Sequence, residues 1–83
     1  MIEIETLKRH AGLVDRMATA TGVDLQEAAL SGDLSIDEIT DAVLKCTGCS
    51  DPAHCAGVLE QSPTVAAPPG YCRNRDLLAR LQP

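Results

Sequence analysis

Residues 44–55 read Leu44-Lys45-Cys46-Thr47-Gly48-Cys49-Ser50-Asp51-Pro52-Ala53-His54-Cys55, and a fourth cysteine, Cys72, follows a proline-rich interval. The segment Cys46 to Cys49 reads as a turn, because Gly48 removes the steric penalty of bending the backbone tightly. Ser50-Asp51-Pro52 reads as a cap followed by proline in the first turn of a helix, where a backbone N–H has no intrahelical partner anyway. The stretch thus joins two helices across a cysteine-bearing turn, and the second helix is expected from about Pro52 to Gln61.

Working upstream, apolar residues recur at three- and four-residue spacings from about Ile4 to Ala20. Leu7, Ala11, Val14 and Ala18 form the stripe, and Leu13 and Met17 widen it. Gly22 stands where a left-handed C-terminal residue is wanted. Asp24 and Glu27 then give a D-x-x-E capping pattern for a short helix carrying Leu25, Ala28 and Ala29, which Gly32 ends. Ser35 with Glu38 caps a third helix whose expected apolar face is Ile36, Ile39, Val43 and Leu44, and which runs directly into Cys46.

Downstream, Ser62 to Gly70 contains Pro63, Pro68 and Pro69, which oppose regular structure and favour an extended strap. Asn74 or its polar neighbours can cap a last helix with Leu77, Leu78 and Leu81 on its apolar face. No alternation of strand type competes. The expected fold is all-α: one four-cysteine helical domain over residues 1–83, a small bundle of four to five short helices with a cysteine-lined loop and a Pro-rich strap.

A chain of 83 residues buries a modest share of its surface, and this one has no Trp, no Phe and a single Tyr, so its core must be thin and aliphatic. Scaffolds little shorter than this commonly need a metal, a disulfide or a partner. Seven Lys and Arg against twelve Asp and Glu give a net charge of −5, which argues against nucleic acid as a partner. The opening run MIEIETLKRH is acidic without a sustained apolar stretch, and nothing later reaches membrane-spanning length, so the expectation is a cytoplasmic protein with no membrane association. In a reducing compartment, clustered cysteines are more often metal ligands or redox groups than structural disulfides.

The spacing is C-x2-C-x5-C-x16-C. Cys46 and Cys49 can turn both sulfurs onto one centre. Cys55, near the start of its helix, leans toward them, and the helix dipole there is expected to favour its thiolate. Cys72 closes the set from beyond the strap, and the last helix is expected to depend on that ligand. Four sulfurs suit tetrahedral zinc or a 4Fe-4S cluster. A zinc ribbon usually presents two CxxC pairs on hairpins, and the single pair in a helical setting favours iron–sulfur. The competing readings are disulfides, a redox-switchable Cys46–Cys49 pair, or buried thiols without a shared role.

Among the other residues, His54 is expected at the surface because an adjacent helical side chain points about a hundred degrees away from Cys55. His10 is expected to face solvent. Arg73, Arg75 and Arg80 concentrate positive charge near Cys72, either offsetting a thiolate-bound centre, forming a docking patch, or simply lining a solvated helix face. Tyr71 either shields the cysteines from water or anchors the strap. There is no Ser/His/Asp pattern and no phosphate-binding glycine loop, so enzymatic activity is not expected. The protein partner and oligomeric state are open at this level.

The C-x2-C-x5-C core resembles the cluster-binding core of the WhiB-like iron–sulfur regulators, which are small and helical. There the remote cysteine precedes the triplet, whereas Cys72 follows it, and the basic DNA-contacting tail has no counterpart here. Only the spacing carries over. A more extensive likeness covers nearly the whole chain: residues 13–25 (LVDRMATATGVDL), 44–55 (LKCTGCSDPAHC) and 67–81 (APPGYCRNRDLLARL) resemble a bacterial family of small proteins, domain of unknown function 6455. That resemblance implies that Cys46, Cys49, Cys55 and Cys72 occupy the family's cysteine positions, and it brings no assigned activity.

Overall fold

The computed structural model describes residues 3–82. Five helices follow one another: α1 (Ile4–Ala20), α2 (Leu25–Leu30), α3 (Ile36–Thr47), α4 (Pro52–Gln61) and α5 (Arg75–Leu81). No strand occurs among the described residues, so the fold is all-α.

The first two helices end by the same device. Gly22 and Gly32 adopt φ of +87° and +86°, a left-handed conformation that a side chain would penalise. Each lets the next residue's N–H reach back, Val23 to the Ala18 carbonyl at 2.8 Å and Asp33 to the Ala28 carbonyl at 2.9 Å. The chain then reverses and drops an aliphatic side chain, Val23 or Leu34, into the interior. At the other ends, Asp24 accepts the Glu27 N–H, Ser35 and Glu38 exchange both bonds of a capping box, and Asp51 accepts the His54 N–H ahead of Pro52. These caps set where each helix starts and so the angle at which it meets α1, which packs chiefly on α3 and next on α4.

The buried face of α1 is rotated from the one expected. His10, Leu13, Val14, Met17 and Ala18 are buried, at helical steps of three and four, and Ala11 is exposed. His10, only 5 % exposed, corrects the expectation of a solvent-facing side chain. Its Nδ1 donates to the Thr6 carbonyl one turn back, 2.8 Å away, so a ring nitrogen is satisfied locally and the imidazole can pack like an apolar group. On α3 the inward stripe is Ile39, Ala42, Val43 and Cys46, while Ile36 is 79 % exposed and Leu44 also faces out. Small Ala42, 3 % exposed, is the most deeply buried residue of α3.

The molecule measures 31 × 31 × 17 Å. With helices about 10 Å across, its thin dimension holds barely two layers, and among the described residues only Leu78 on α5 is both large and fully buried. Leu13, Met17, Val23, Cys55, Leu59 and Leu78 belong to one cluster, with Cys46, Val65, Tyr71 and Leu81 packed against it. The cysteines are therefore part of the core's wall.

The strap after α4 runs outside any helix and is tied down at Val65, whose N–H donates to the Ala20 carbonyl at 2.9 Å, and by burial of Pro68. α5 has anchors besides Cys72. Asn74 was expected as a cap; it stands at the N-cap position without a side-chain cap bond. Its buried amide instead donates to the Ala42 carbonyl of α3 at 2.8 Å. Gln82 donates to the carbonyls of Thr21 and Ala66. Arg80 pairs with Glu38 at 2.8 Å and also donates to the Asp33 carbonyl. Arg80 thus serves α3, which corrects its assignment to the basic group near Cys72.

Candidate functional site

The four cysteines come from three stretches. Cys46 lies in the last turn of α3, which continues through Thr47, so the CTGC segment is half helix and half turn rather than a turn throughout. Cys49 follows at once, its N–H donating to the Cys46 carbonyl at 3.0 Å. Gly48 has φ −92°, open to any residue, so the turn does not draw on its conformational freedom. A Cβ there would stand 3.5 Å from Arg73 Nε, which makes the glycine the floor on which the Arg73 guanidinium lies. Cys55 is buried on α4, and Cys72 ends a turn closed by its own N–H on the Pro69 carbonyl.

All four thiols line one small, partly open cavity, together with Leu13, Met17 and Leu78 of the core and with Tyr71, Arg73 and Asn74. Its volume is about 20 Å³, the scale of a single water site. Among the described residues the cysteines are free thiols, and no three Cys, His, Asp or Glu side chains stand close enough to hold one metal ion.

The thiols feel one another. Burial, followed by the neighbouring Cys49, Cys55 and Cys72, pushes the Cys46 thiol up to about 11. Burial also raises Cys55, with Cys72 and Cys49 adding to it and the Arg16 guanidinium pulling the other way. The expectation that the helix dipole favours a thiolate at Cys55 is therefore corrected: removal from water outweighs it. Cys72 is raised by burial and by Cys49, opposed by the nearby Asn74 backbone N–H and by Arg75. Bare, such thiols stay protonated at neutral pH and are weak nucleophiles. A bound cation inverts that logic, because coordination deprotonates a thiol outright.

Arg73 lines the cavity and Arg75 acts on Cys72, so two of the three arginines expected near the cysteines are there. Arg16 takes the place of the third. It lies 56 positions from Cys72, and only the packing of α1 beside α4 brings it near Cys55; a single cation on an amphipathic helix gives no signal in the sequence. His54 is exposed, as expected, and bonds to Tyr71. Tyr71 is half-buried against the core and on the cavity wall, so it shields and anchors at once.

Fold and site together define an all-helical protein with four thiols gathered around one small cavity. Residues 1–83 match the family of unknown function DUF6455, and the chain belongs to it. No curated protein and no solved structure matches the chain. No described helix is long and apolar enough to cross a membrane.

Proposed function

We propose that this chain is a small metal- or iron–sulfur-binding protein whose centre is held by Cys46, Cys49, Cys55 and Cys72, serving a redox, sensing or assembly role in the cytoplasm with a protein partner. One observation supports the reading above all: thiols from α3, α4 and the far side of the strap line the same cavity. Chance would scatter them.

A 4Fe-4S cluster is the first choice and zinc the alternative. A tetrahedral zinc with Zn–S of about 2.3 Å brings its sulfurs to about 3.8 Å from one another, and no three potential ligands among the described residues converge on a point. A cluster gives each thiolate its own iron, so its ligands stand farther apart. The small cavity volume points the other way, toward a single ion. Ligand spread is taken as the guide, because Cys49 and Cys72 lie outside the helices and can adjust to a larger centre, while Cys46 and Cys55 are carried on α3 and α4. The Asn74 backbone N–H close to Cys72 and the nearby Arg73 and Arg75 are of the kind that tune such centres.

The lack of a convergent trio equally favours a second reading, a thiol–disulfide or disulfide-stapled interaction module without metal. Anaerobic purification followed by iron, sulfide and zinc quantification and a visible spectrum separates the two. Iron with equimolar sulfide and a broad visible band supports the cluster, zinc alone supports the alternative metal, and none of them in folded, reduced protein supports the thiol reading.

A further inference from the structure

Tyr71 is the chain's only residue of the Phe, Trp and Tyr class, and it stands on the wall of the thiol cavity. Its hydroxyl bonds Nδ1 of His54 at 2.7 Å. The two rings meet edge to face, centroids 5.6 Å apart and planes at 69°. His54 precedes Cys55 on α4 and Tyr71 precedes Cys72 after the strap, so this bond joins the segments that carry two of the four cysteines. His54 is exposed and Tyr71 half-buried, which puts the bond at the border between cavity and solvent.

The rest of the segment is loosely held. Among the described residues, the other hydrogen bonds of 67–73 are local: the Cys72 N–H turns back on Pro69, the Cys72 carbonyl accepts the Arg75 N–H at the start of α5, and the next ties are Ala66 with Gln82 on one side and Asn74 with Ala42 on the other. Pro68 is buried but contributes no donor. A short segment pinned at both ends, with one aromatic side chain packed over a cavity and one side-chain hydrogen bond fastening it from the solvent side, has the build of a lid.

We propose that the His54–Tyr71 bond is the latch of a lid formed by residues 67–73, and that it sets how fast metal ions and thiol-seeking electrophiles reach Cys55 and Cys72. This deepens the reading of the four thiols as one site and rests on it. Entry of an ion or cluster requires the cavity to open, since its present volume admits only a water-sized body. The latch lies on the side where the wall is a turn rather than a helix, so opening there leaves α1, α3 and α4 in place.

The test uses iodoacetamide on the full chain isolated anaerobically under reducing conditions. The thiolate sulfur displaces iodide, the S–C bond forming as the C–I bond breaks, and the thiol proton passes to solvent. Labelling of each cysteine is followed by peptide mass spectrometry in wild type, Tyr71→Phe, His54→Ala and the double variant, with hydrogen exchange across α1 as a measure of overall fold. Loss of one net hydrogen bond corresponds to a rise of roughly 2- to 10-fold in the open population, so Cys55 should label faster by that factor in each single variant. Because both substitutions remove the same bond, the double variant should be no faster than the faster single one. Unchanged Cys55 labelling in either single variant, additive acceleration in the double, or acceleration accompanied by equal loosening of α1 overturns the latch. Metal analysis on the same samples reads the other question separately: a metal-free protein refutes the metal reading, while the comparison of labelling rates still decides the latch.

Discussion

Replacing Leu78 with Ala probes the point where fold and site meet. Leu78 is 1 % exposed, the only large side chain fully buried among the described residues, and it also walls the thiol cavity from the α5 side. Truncating a buried leucine removes its transfer energy and leaves a void, a loss of about 2–5 kcal/mol that depends on how far the surroundings collapse. A chain of 83 residues has a net stability of roughly 4–12 kcal/mol at typical per-residue values, so the substitution removes a large part of it. At about 4–8 °C per kcal/mol for a domain of this size, a loss of about 3 kcal/mol lowers the unfolding midpoint by roughly 12–24 °C. Denaturant unfolding of wild type and variant, both anaerobic and with metal content recorded, measures the difference. A change below about 1 kcal/mol with an unchanged denaturant slope would show that the core does not close over Leu78, and the packing described for α5 would be wrong.

Three further outcomes follow from particular contacts. Cys72→Ser should abolish the centre and speed hydrogen exchange at Leu77 to Leu81, yet leave more protection there than Leu78→Ala does, because Asn74, Leu78 and Gln82 hold α5 independently; full metal retention would remove Cys72 from the ligand set. The Arg80 guanidinium, and then the Ser35 N–H, hold the Glu38 carboxyl below its ordinary 4.5, so that bridge supports folding above about that pH and its contribution fades as pH falls through the lower folded value. Glu38→Gln should accordingly lower the unfolding midpoint at neutral pH, with the difference shrinking as pH falls through the lowered folded value, and a gap that persists undiminished in acid would contradict the assignment. A low-salt titration with DNA or RNA should give no salt-sensitive binding, given the net charge of −5; tight association that collapses with added salt would show that Arg16, Arg73 and Arg75 act as a nucleic-acid patch.

Helix order and boundaries were legible because they depend on local chemistry: Gly22 and Gly32 after each helix, Ser35 with Glu38, and Asp51 before Pro52 act within a few residues of where they stand. What sequence reading missed lies at longer range. His10 was assigned to solvent because its residue type is polar, and only the bond to the Thr6 carbonyl makes its burial acceptable. Ile36 and Leu44 were placed on the inner face of α3, but the face that packs inward is centred on small Ala42 and leaves both larger residues outside. Asn74 has the composition of a cap and is used as a clasp to Ala42, 32 residues away. For the site, the cysteine spacing pointed to the four residues that line one cavity, whereas Arg16, the bond between His54 and Tyr71, and the effect of burial at Cys55 required the packing of separate elements.

The central claim is that the four thiols share one inorganic centre, and the mass of the intact native protein tests it most directly. Native mass spectrometry of anaerobically isolated full-length chain should show one bound 4Fe-4S cluster, or one zinc in the alternative, and the increment should vanish in each of the four single Cys→Ser variants. A folded, fully reduced chain observed at its bare mass would contradict the account.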